Sequence, residues 1–205
     1  MSNRASVLLV LADPLLSPPV MPYGVQILAA ALERNGIASE IIWPYLDGDG
    51  PDVLRKAIIQ RRPIVVGLSF RNLDTAGCHY LESGESNFLD DLNCIVKAAK
   101  QVGSIVVIGG SGFSVSPSEI LNRVNADAGF VGPSEEQFAR FCWRVVVEGK
   151  SVSEAVQGLT TAFIRGRVAP APQEVNLLGP ISINSRAVEY AKLVGGMIPV
   201  RTKTG

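Results

Sequence analysis

The residues best suited to chemistry lie near the middle of the chain, in a glycine- and serine-rich stretch from Gly109 to Ser116. An apolar, β-branched run, Ile105–Ile108, precedes it and predicts a strand that is buried on both faces. Gly109, Gly110 and Gly112 allow positive φ angles and let a ligand approach the main chain closely. The pattern predicts ligand binding through backbone groups; the alternative interpretation is that the glycines only shape a tight turn.

A helix start follows these glycines. Ser116 is a good N-cap, Pro117 suits the first helical position, and Glu119 completes the pattern of a capping box. Strand, glycine turn and helix therefore succeed one another, and the helix is expected to reach about Val124. Because open α/β sheets commonly bind ligands beyond the carboxyl ends of their strands, we expect a ligand at this turn.

Few other side chains indicate catalysis. His79 is the only histidine, which excludes a histidine-based triad and a multi-histidine metal site. Asp90–Asp91 and Glu135–Glu136 fall in the first turns of predicted helices, where the helix dipole explains acidic residues. Arg71 and Asp74 fit either a ligand contact or a surface ion pair. We therefore expect no catalytic residue and no metal ligand in this chain.

Composition restricts the class of protein and of partner. The 205 residues are 47% hydrophobic and include 19 basic and 19 acidic side chains, so we expect a well-filled core and neither nucleic acid nor a membrane as partner. No apolar run approaches the roughly 20 residues that span a bilayer. The first apolar run is expected to be a strand rather than a signal peptide. Cys78, Cys94 and Cys142 indicate neither a disulfide framework nor a metal cluster, and the expected location is cytoplasmic.

The elements that must position the glycine stretch alternate between strand and helix up to residue 148. The predicted strands are Ser6–Leu11, Ile37–Trp43, Ile64–Ser69, Ile105–Ile108 and Ala128–Val131. The predicted helices begin at Pro22, Pro51, Phe88, Ser116 and Ser134. This alternation predicts an α/β, flavodoxin-like (Rossmann-like) open parallel sheet of about five strands in the order 2-1-3-4-5, with helices on both faces.

The character of the sequence changes after Gly149. Residues 159–165 suggest a short strand, which Gly166 would allow to turn into a hairpin, and residues 176–180 resemble a linker. We therefore predict a ligand-binding α/β domain over residues 1–149 and a hairpin and linker over residues 150–205. Within the first domain, residues 70–87 form a long polar loop, which is more often functional than idle.

The loop after the first strand restricts the ligand. Residues 13–19 contain no glycine and three prolines, whereas a dinucleotide fold needs G-x-G-x-x-G there and an FMN site needs Ser, Thr and Gly donors. A phosphoacceptor receiver fails too, because Asp13 stands alone and Ser69 occupies the third strand end. The remaining crevice of glycine, serine and small apolar residues suits a large, mostly neutral ligand.

Four stretches of the sequence, in this order, resemble the N-terminal cobalamin-binding domain of cobalamin-dependent radical S-adenosylmethionine enzymes of the methyltransferase type. These stretches are Pro22–Leu32, Val66–Asp74, Gly109–Ser114 and Ala128–Gly132. Residues 184–205 are similar to the segment that leads into the radical domain of that family. The resemblance implies cobalamin as the cofactor and, in the full-length enzyme, S-adenosylmethionine and a [4Fe-4S] cluster.

The cluster motif C-x-x-x-C-x-x-C of that family would begin directly after Gly205, where the sequence ends. The resemblance therefore implies a module that is not catalytic alone and that meets a small-molecule or peptide substrate through a radical domain. It also implies the cofactor-binding residues. They are Asp13, Pro14, Leu15, Leu16, Tyr23, Ser69, Phe70, Arg71, Asn72, Gly109, Gly110, Ser111, Gly112, Val131 and Gly132.

One departure from related domains concerns the lower face of cobalt. Methionine-synthase-like domains have D-x-H-x-x-G, but the corresponding loop here offers Asp13 and Pro22–Gly24 without a histidine. The resemblance therefore implies a lower face that is open, water-bound or shielded by Leu15, Leu16 or Tyr23. The alternatives are a degenerate interaction module, whose crevice is filled by side chains such as Phe70 and Phe113, and an FMN-binding protein.

Overall fold

A computed structural model describes residues 6–12, 23–44, 50–69 and 88–168, together with Pro170 and Glu189. The described strands are β1 (Val7–Leu11), β2 (Ser39–Ile42), β3 (Val65–Ser69), β4 (Ile105–Gly109), β5 (Ala128–Phe130) and β6 (Ala162–Ile164). The described helices are α1 (Tyr23–Arg34), α2 (Gly50–Arg61), α3 (Phe88–Gln101), α4 (Ser111–Val115), α5 (Pro117–Val124), α6 (Glu135–Val146) and α7 (Val152–Ala155).

These six strands form one sheet in the order β2-β1-β3-β4-β5-β6, in which all neighbours are parallel except β5 and β6. The flavodoxin-like α/β class and the predicted order 2-1-3-4-5 are confirmed. The sixth strand adds an antiparallel edge, which is common on otherwise parallel sheets.

Apolar β-branched side chains explain why the central strands lie inside the molecule. Successive residues of a strand point to opposite faces, so Val7 and Leu9 belong to one core cluster and Leu8 and Val10 to the other. The first cluster packs under α1 and α6, and the second packs under α2, α3 and α5. Both faces of the parallel sheet are therefore covered, as its near-continuous apolar strands require.

The turn after β4 differs from the predicted plain glycine turn, because the five-residue helix α4 begins at Ser111, directly after Gly110. Ser, Gly and Val are poor helix formers, so α4 depends on tertiary contacts, chiefly on burial of Phe113 (0% exposed). Gly112 is therefore a buried helical residue and not part of an open turn.

The predicted capping box at Ser116 is wrong. Pro117 does occupy the start of α5, but Ser116 makes no side-chain bond to the helix backbone and instead donates to Glu119 Oε2 (3.1 Å). A capping box is present at Ser151 and Glu154 of α7, where the hydrogen bonds from Ser151 lower the pKa of the Glu154 carboxyl below its ordinary value.

Residues beyond Gly149 contribute to the same sheet. The short strand suggested over residues 159–165 is present as β6, but it pairs with β5 rather than with a later strand in the described part of the chain. Phe163 of β6 is 3% exposed and stacks on Phe113, with ring centroids 5.9 Å apart. Among the described helices, none has the length and apolar content that crossing a membrane requires.

Candidate functional site

The carboxyl ends of three central strands lie side by side. In the ladder, Leu11 pairs with Ser69, and Ser69 pairs with Gly109. Ala12 N–H, just past β1, donates to the carbonyl of Ser69 (2.9 Å) and holds these strand ends in register. Two of the predicted cofactor-binding residues, Ser69 and Gly109, are therefore neighbours at this edge.

Gly110 turns the chain from β4 into α4 through a backbone conformation that only glycine adopts readily. Its φ of 103° and ψ of 170° lie in the region of positive φ that is almost exclusive to glycine. A Cβ at this position would strain the turn, because an L side chain disfavours that φ. Glycine is needed here for the path of the backbone, as the sequence predicted.

The Ser114 side chain forms hydrogen bonds with both the turn after β4 and the turn after β5. Its hydroxyl donates to the carbonyl of Gly110 (3.0 Å) and accepts the N–H of Gly132 (3.0 Å). Gly132 follows β5 and has a positive φ of 67°. One hydroxyl therefore joins the turns after β4 and β5, which places Gly110 and Gly132 at the same edge as Ser69 and Gly109.

Neighbouring atoms pack closely against the glycines of β4 and β5 at this edge. A Cβ on Gly109 would lie 3.4 Å from the carbonyl oxygen of Phe130, and a Cβ on Gly129 would lie 2.4 Å from Cζ of Phe113. Phe113 thus fills the space beneath Gly129 from inside the second core cluster. Because Phe113 is wholly buried there, it does not fill the crevice, contrary to the expectation for a degenerate module.

The described part of the site is electrically neutral and rich in main-chain polar groups. Its members among the predicted residues are Tyr23, Ser69, Gly109, Gly110, Ser111, Gly112, Val131 and Gly132. Ser69 is partly exposed, and its hydroxyl makes no hydrogen bond within the described residues. No group of three His, Cys, Asp or Glu side chains able to hold a metal occurs in the part of the chain that the structure describes.

The predicted residues do not all present side chains to the edge. Val131 is 1% exposed, belongs to the core, and donates its N–H to Thr161 O (2.9 Å), so its role is to position the turn. Tyr23 begins α1 and is partly exposed. Seven of the predicted residues lie outside the described residues. They are Asp13, Pro14, Leu15, Leu16, Phe70, Arg71 and Asn72.

The list of site residues from the sequence omitted Ser114. Its bond to Gly132 joins positions 18 residues apart, and no local pattern predicts such a contact. The signal that was available is its hydroxyl close after the glycines, in a helix too short and too poor in helix formers to form without outside support.

Most of the chain matches the model of a known protein family. The B12 binding domain family matches residues 16–141, more than half of the chain, and the chain belongs to that family. Within this family it is a module similar to the cobalamin-binding region of a radical S-adenosylmethionine methyltransferase. The resemblance stated from the sequence is therefore confirmed.

The relatives support this assignment. Tryptophan 2-C-methyltransferase of Streptomyces laurentii is 28% identical over 176 residues, which are 84% of this chain and 27% of that enzyme. Two structures of the radical S-adenosylmethionine methyltransferase TsrM from Kitasatospora setae, one with tryptophan and a SAM analogue and one with cobalamin and a [4Fe-4S] cluster, superpose with a TM-score of 0.65 at 26% identity. They cover 81% of this chain, which in turn covers 30% of theirs.

A more distant structure shares the fold. The cobalamin-dependent S-adenosylmethionine radical enzyme OxsB superposes with a TM-score of 0.60 at 15% identity, over 85% of this chain and 23% of that enzyme. The chain therefore spans less than a third of the length of each of these relatives.

Proposed function

We propose that the chain holds cobalamin at the carboxyl edge of its sheet, above Ser69, Gly109–Gly110 and Gly132. The observation that carries this proposal is the edge itself, where Ser114 fixes two glycine turns to each other and Gly109–Gly110 present main-chain groups without a side chain. Cobalamin is a large molecule with many neutral amide groups, which suits a neutral edge with backbone and hydroxyl partners.

The residues present fit this cofactor. Gly109 has no side chain above the backbone of β5, Gly110 takes a conformation that excludes most side chains, and the Ser69 hydroxyl makes no hydrogen bond within the described residues. Cobalamin, when bound, supplies the chemistry of group transfer, and the protein supplies binding, orientation and exclusion of competing reactions. Leu15, Leu16 and Tyr23 remain the proposed shields of the lower face of cobalt.

We further propose that the chain serves a cobalamin-dependent radical S-adenosylmethionine methyltransferase. Two related structures are of a radical S-adenosylmethionine methyltransferase, and one of them contains cobalamin and a [4Fe-4S] cluster. In such an enzyme the module positions the corrinoid for methyl transfer to a substrate, and the cluster and S-adenosylmethionine belong to a further domain. By analogy with the tryptophan relatives, a small molecule is the favoured substrate class over a peptide. The cytoplasmic location remains a prediction.

The test is retention of hydroxocobalamin by the purified chain after desalting, read from the absorbance spectrum. We expect near one corrinoid per chain. Gly110→Trp and Ser69→Tyr should each lose most of it, because both place a ring where the cofactor would lie. Lys97→Trp, on an exposed position of α3, should retain it. Circular dichroism and urea midpoints show whether each variant is folded.

Three outcomes would contradict the proposal. Retention by both crevice variants at the level of the unaltered chain would place the cofactor elsewhere. Absence of retention in a longer chain that includes the radical domain would favour the degenerate interaction module. A yellow, fluorescent protein that binds FMN in place of the corrinoid would favour the flavin alternative.

A further inference from the structure

The outer edge of β2 has no strand beside it in the described part of the chain. β2 pairs with β1 alone, and Val7 N–H donates to Ala38 O (3.2 Å) at the start of that ladder. In a parallel ladder alternate residues face the neighbour, so Ser39 and Ile41 direct their N–H and C=O groups outward. Exposed backbone groups of this kind are a template for pairing with another extended chain.

A cleft of about 300 Å³ lies beside this edge, between α1 and β2. The cleft is lined on one side by Gln26, Ala29, Ala30 and Glu33 of α1, and on the other by Ile37, Ala38, Ser39 and Ile41. The alanines leave room between the helix and the edge strand. The cleft lies on the β2 side of the sheet and is therefore separate from the glycine turns after β4 and β5.

The side-chain amide of Gln26, which lines this cleft, is buried without hydrogen bonds to the described residues. The side chain is 2% exposed, yet neither Nε2 nor Oε1 of its amide has a hydrogen-bond partner among the residues that the structure describes. Leaving a buried amide unsatisfied is costly, and such groups are rare in folded proteins. An amide needs an acceptor for its N–H₂ and a donor for its C=O, which a second carboxamide supplies together.

We propose that the α1–β2 cleft binds an extended polypeptide segment, which adds a strand to the outer edge of β2. A single extended chain satisfies both deficits: its backbone pairs with Ser39 and Ile41, and an Asn or Gln side chain reaches the amide of Gln26. A small amide molecule would satisfy Gln26 alone. Strand addition of this type obtains affinity from main-chain bonds and specificity from pockets for alternate side chains.

Glu33 adds a charge preference. It lies at the end of the cleft nearest the amino edge of the sheet, because α1 runs antiparallel to the strands, and it forms no ion pair with any described residue. A Lys or Arg in the bound segment is therefore favoured at that end. The segment is thus extended, with a carboxamide side chain and a basic residue.

The test selects binders from random dodecapeptides displayed on phage, with the whole chain as target, and measures the synthesised peptides by fluorescence anisotropy. We expect enriched peptides with a carboxamide and a basic residue. Ser39→Pro should weaken them at least about tenfold, because it removes an outward N–H while sparing the bonds to β1. Ser39→Thr keeps that N–H and is the matched control.

Two further measurements keep the result interpretable if a variant folds poorly. Peptides with alternate backbone amides methylated should lose binding to the unaltered chain. Gln26→Leu should weaken binding but raise the thermal midpoint of the free chain, because it removes a buried amide that no described residue satisfies. A merely structural role for Gln26 would lower the midpoint instead.

The proposal is overturned if no peptide is enriched, or if the enriched peptides bind Ser39→Pro as tightly as Ser39→Thr. It is also overturned if sedimentation shows a dimer of the free chain that Ser39→Pro abolishes, since the occupant would then be a second copy. Hydroxocobalamin should not compete with the peptides, so this result and that of the cofactor experiment are independent.

Discussion

At the scale of single residues, the site depends on positions where a side chain is missing. Gly110 is needed for its φ of 103°, whereas Gly129 is needed for space, since a Cβ there would lie 2.4 Å from Cζ of Phe113. These are different physical requirements at two glycines of one site. A substitution at Gly110 therefore tests backbone conformation, whereas a substitution at Gly129 tests core packing.

We expect Gly129→Ala to lower the free energy of unfolding by about 1–3 kcal/mol, because Phe113 must move out of a packed core. The displacement would also shift α4 and weaken retention of hydroxocobalamin. Urea denaturation and the absorbance spectrum measure the two effects. Gly24→Ala is the control, since its Cβ would meet nothing within 4 Å. Equal stability of the two variants would contradict this account of the packing.

Burial also sets the chemistry of Cys142. The thiol is wholly buried in the first core cluster, and the resulting desolvation raises its pKa far above the ordinary value. Its thiolate is therefore suppressed, and Cys142 packs in the core as an apolar side chain.

At the scale of elements, the site is made by two turns that belong to different βα units. Ser114 connects them, since its hydroxyl donates to Gly110 O and accepts the N–H of Gly132. The turn after β5 also contacts β6, through the bond from Val131 N–H to Thr161 O. Support for the candidate site therefore comes from α4, whose Phe113 packs on Gly129 of β5, and from β6, which pairs with β5.

We expect Ser114→Ala to cost about 1–3 kcal/mol of stability, because the partly buried N–H of Gly132 loses its hydroxyl partner, whereas the carbonyl of Gly110 keeps its bond from the Ser114 N–H. Hydroxocobalamin should bind more weakly as well, since the two turns are no longer joined. Ser114→Thr keeps the hydroxyl and should retain most of both properties. Calorimetry and corrinoid titration of the pair provide the measurement. If Ala and Thr variants behave alike, the hydroxyl is not what joins the turns.

Elements with strong periodicity were predictable from sequence. Helix α3 begins at Phe88, as predicted, because its apolar residues recur at helical spacing. Helix α4 was missed because Ser111–Val115 has poor helix propensity and forms through burial of Phe113. The Ser114–Gly132 contact could not be predicted from sequence, because it depends on β4 and β5 being neighbours in the sheet.

At the scale of the whole molecule, residues after Gly149 belong to the same folded core as the residues before it. The family match ends at residue 141, and the sequence predicted a division at Gly149. Yet Phe163 belongs to the second core cluster and stacks on Phe113. The segment that contains β6 therefore supports the helix that carries the glycine turn.

We expect a chain that ends at Gly149 to be less stable than one that ends at Val168. Loss of Phe163 alone should cost about 3–5 kcal/mol, the usual effect of removing a buried aromatic side chain. Urea midpoints of the two chains, with Phe163→Ala in the longer one, measure the difference. Matching midpoints would instead support the predicted domain division at Gly149.

The position of Phe113 has a consequence for motion. Helix α4 carries the candidate site on its outer side and a fully buried ring on its inner side, so it cannot open without withdrawing that ring from the core. The backbone amide of Ser114, bonded to Gly110 O (3.1 Å), should then exchange with deuterium only when the whole sheet unfolds. The five residues would behave as part of the slowest-exchanging core, although Ser111 and Val115 at the two ends of the helix are exposed.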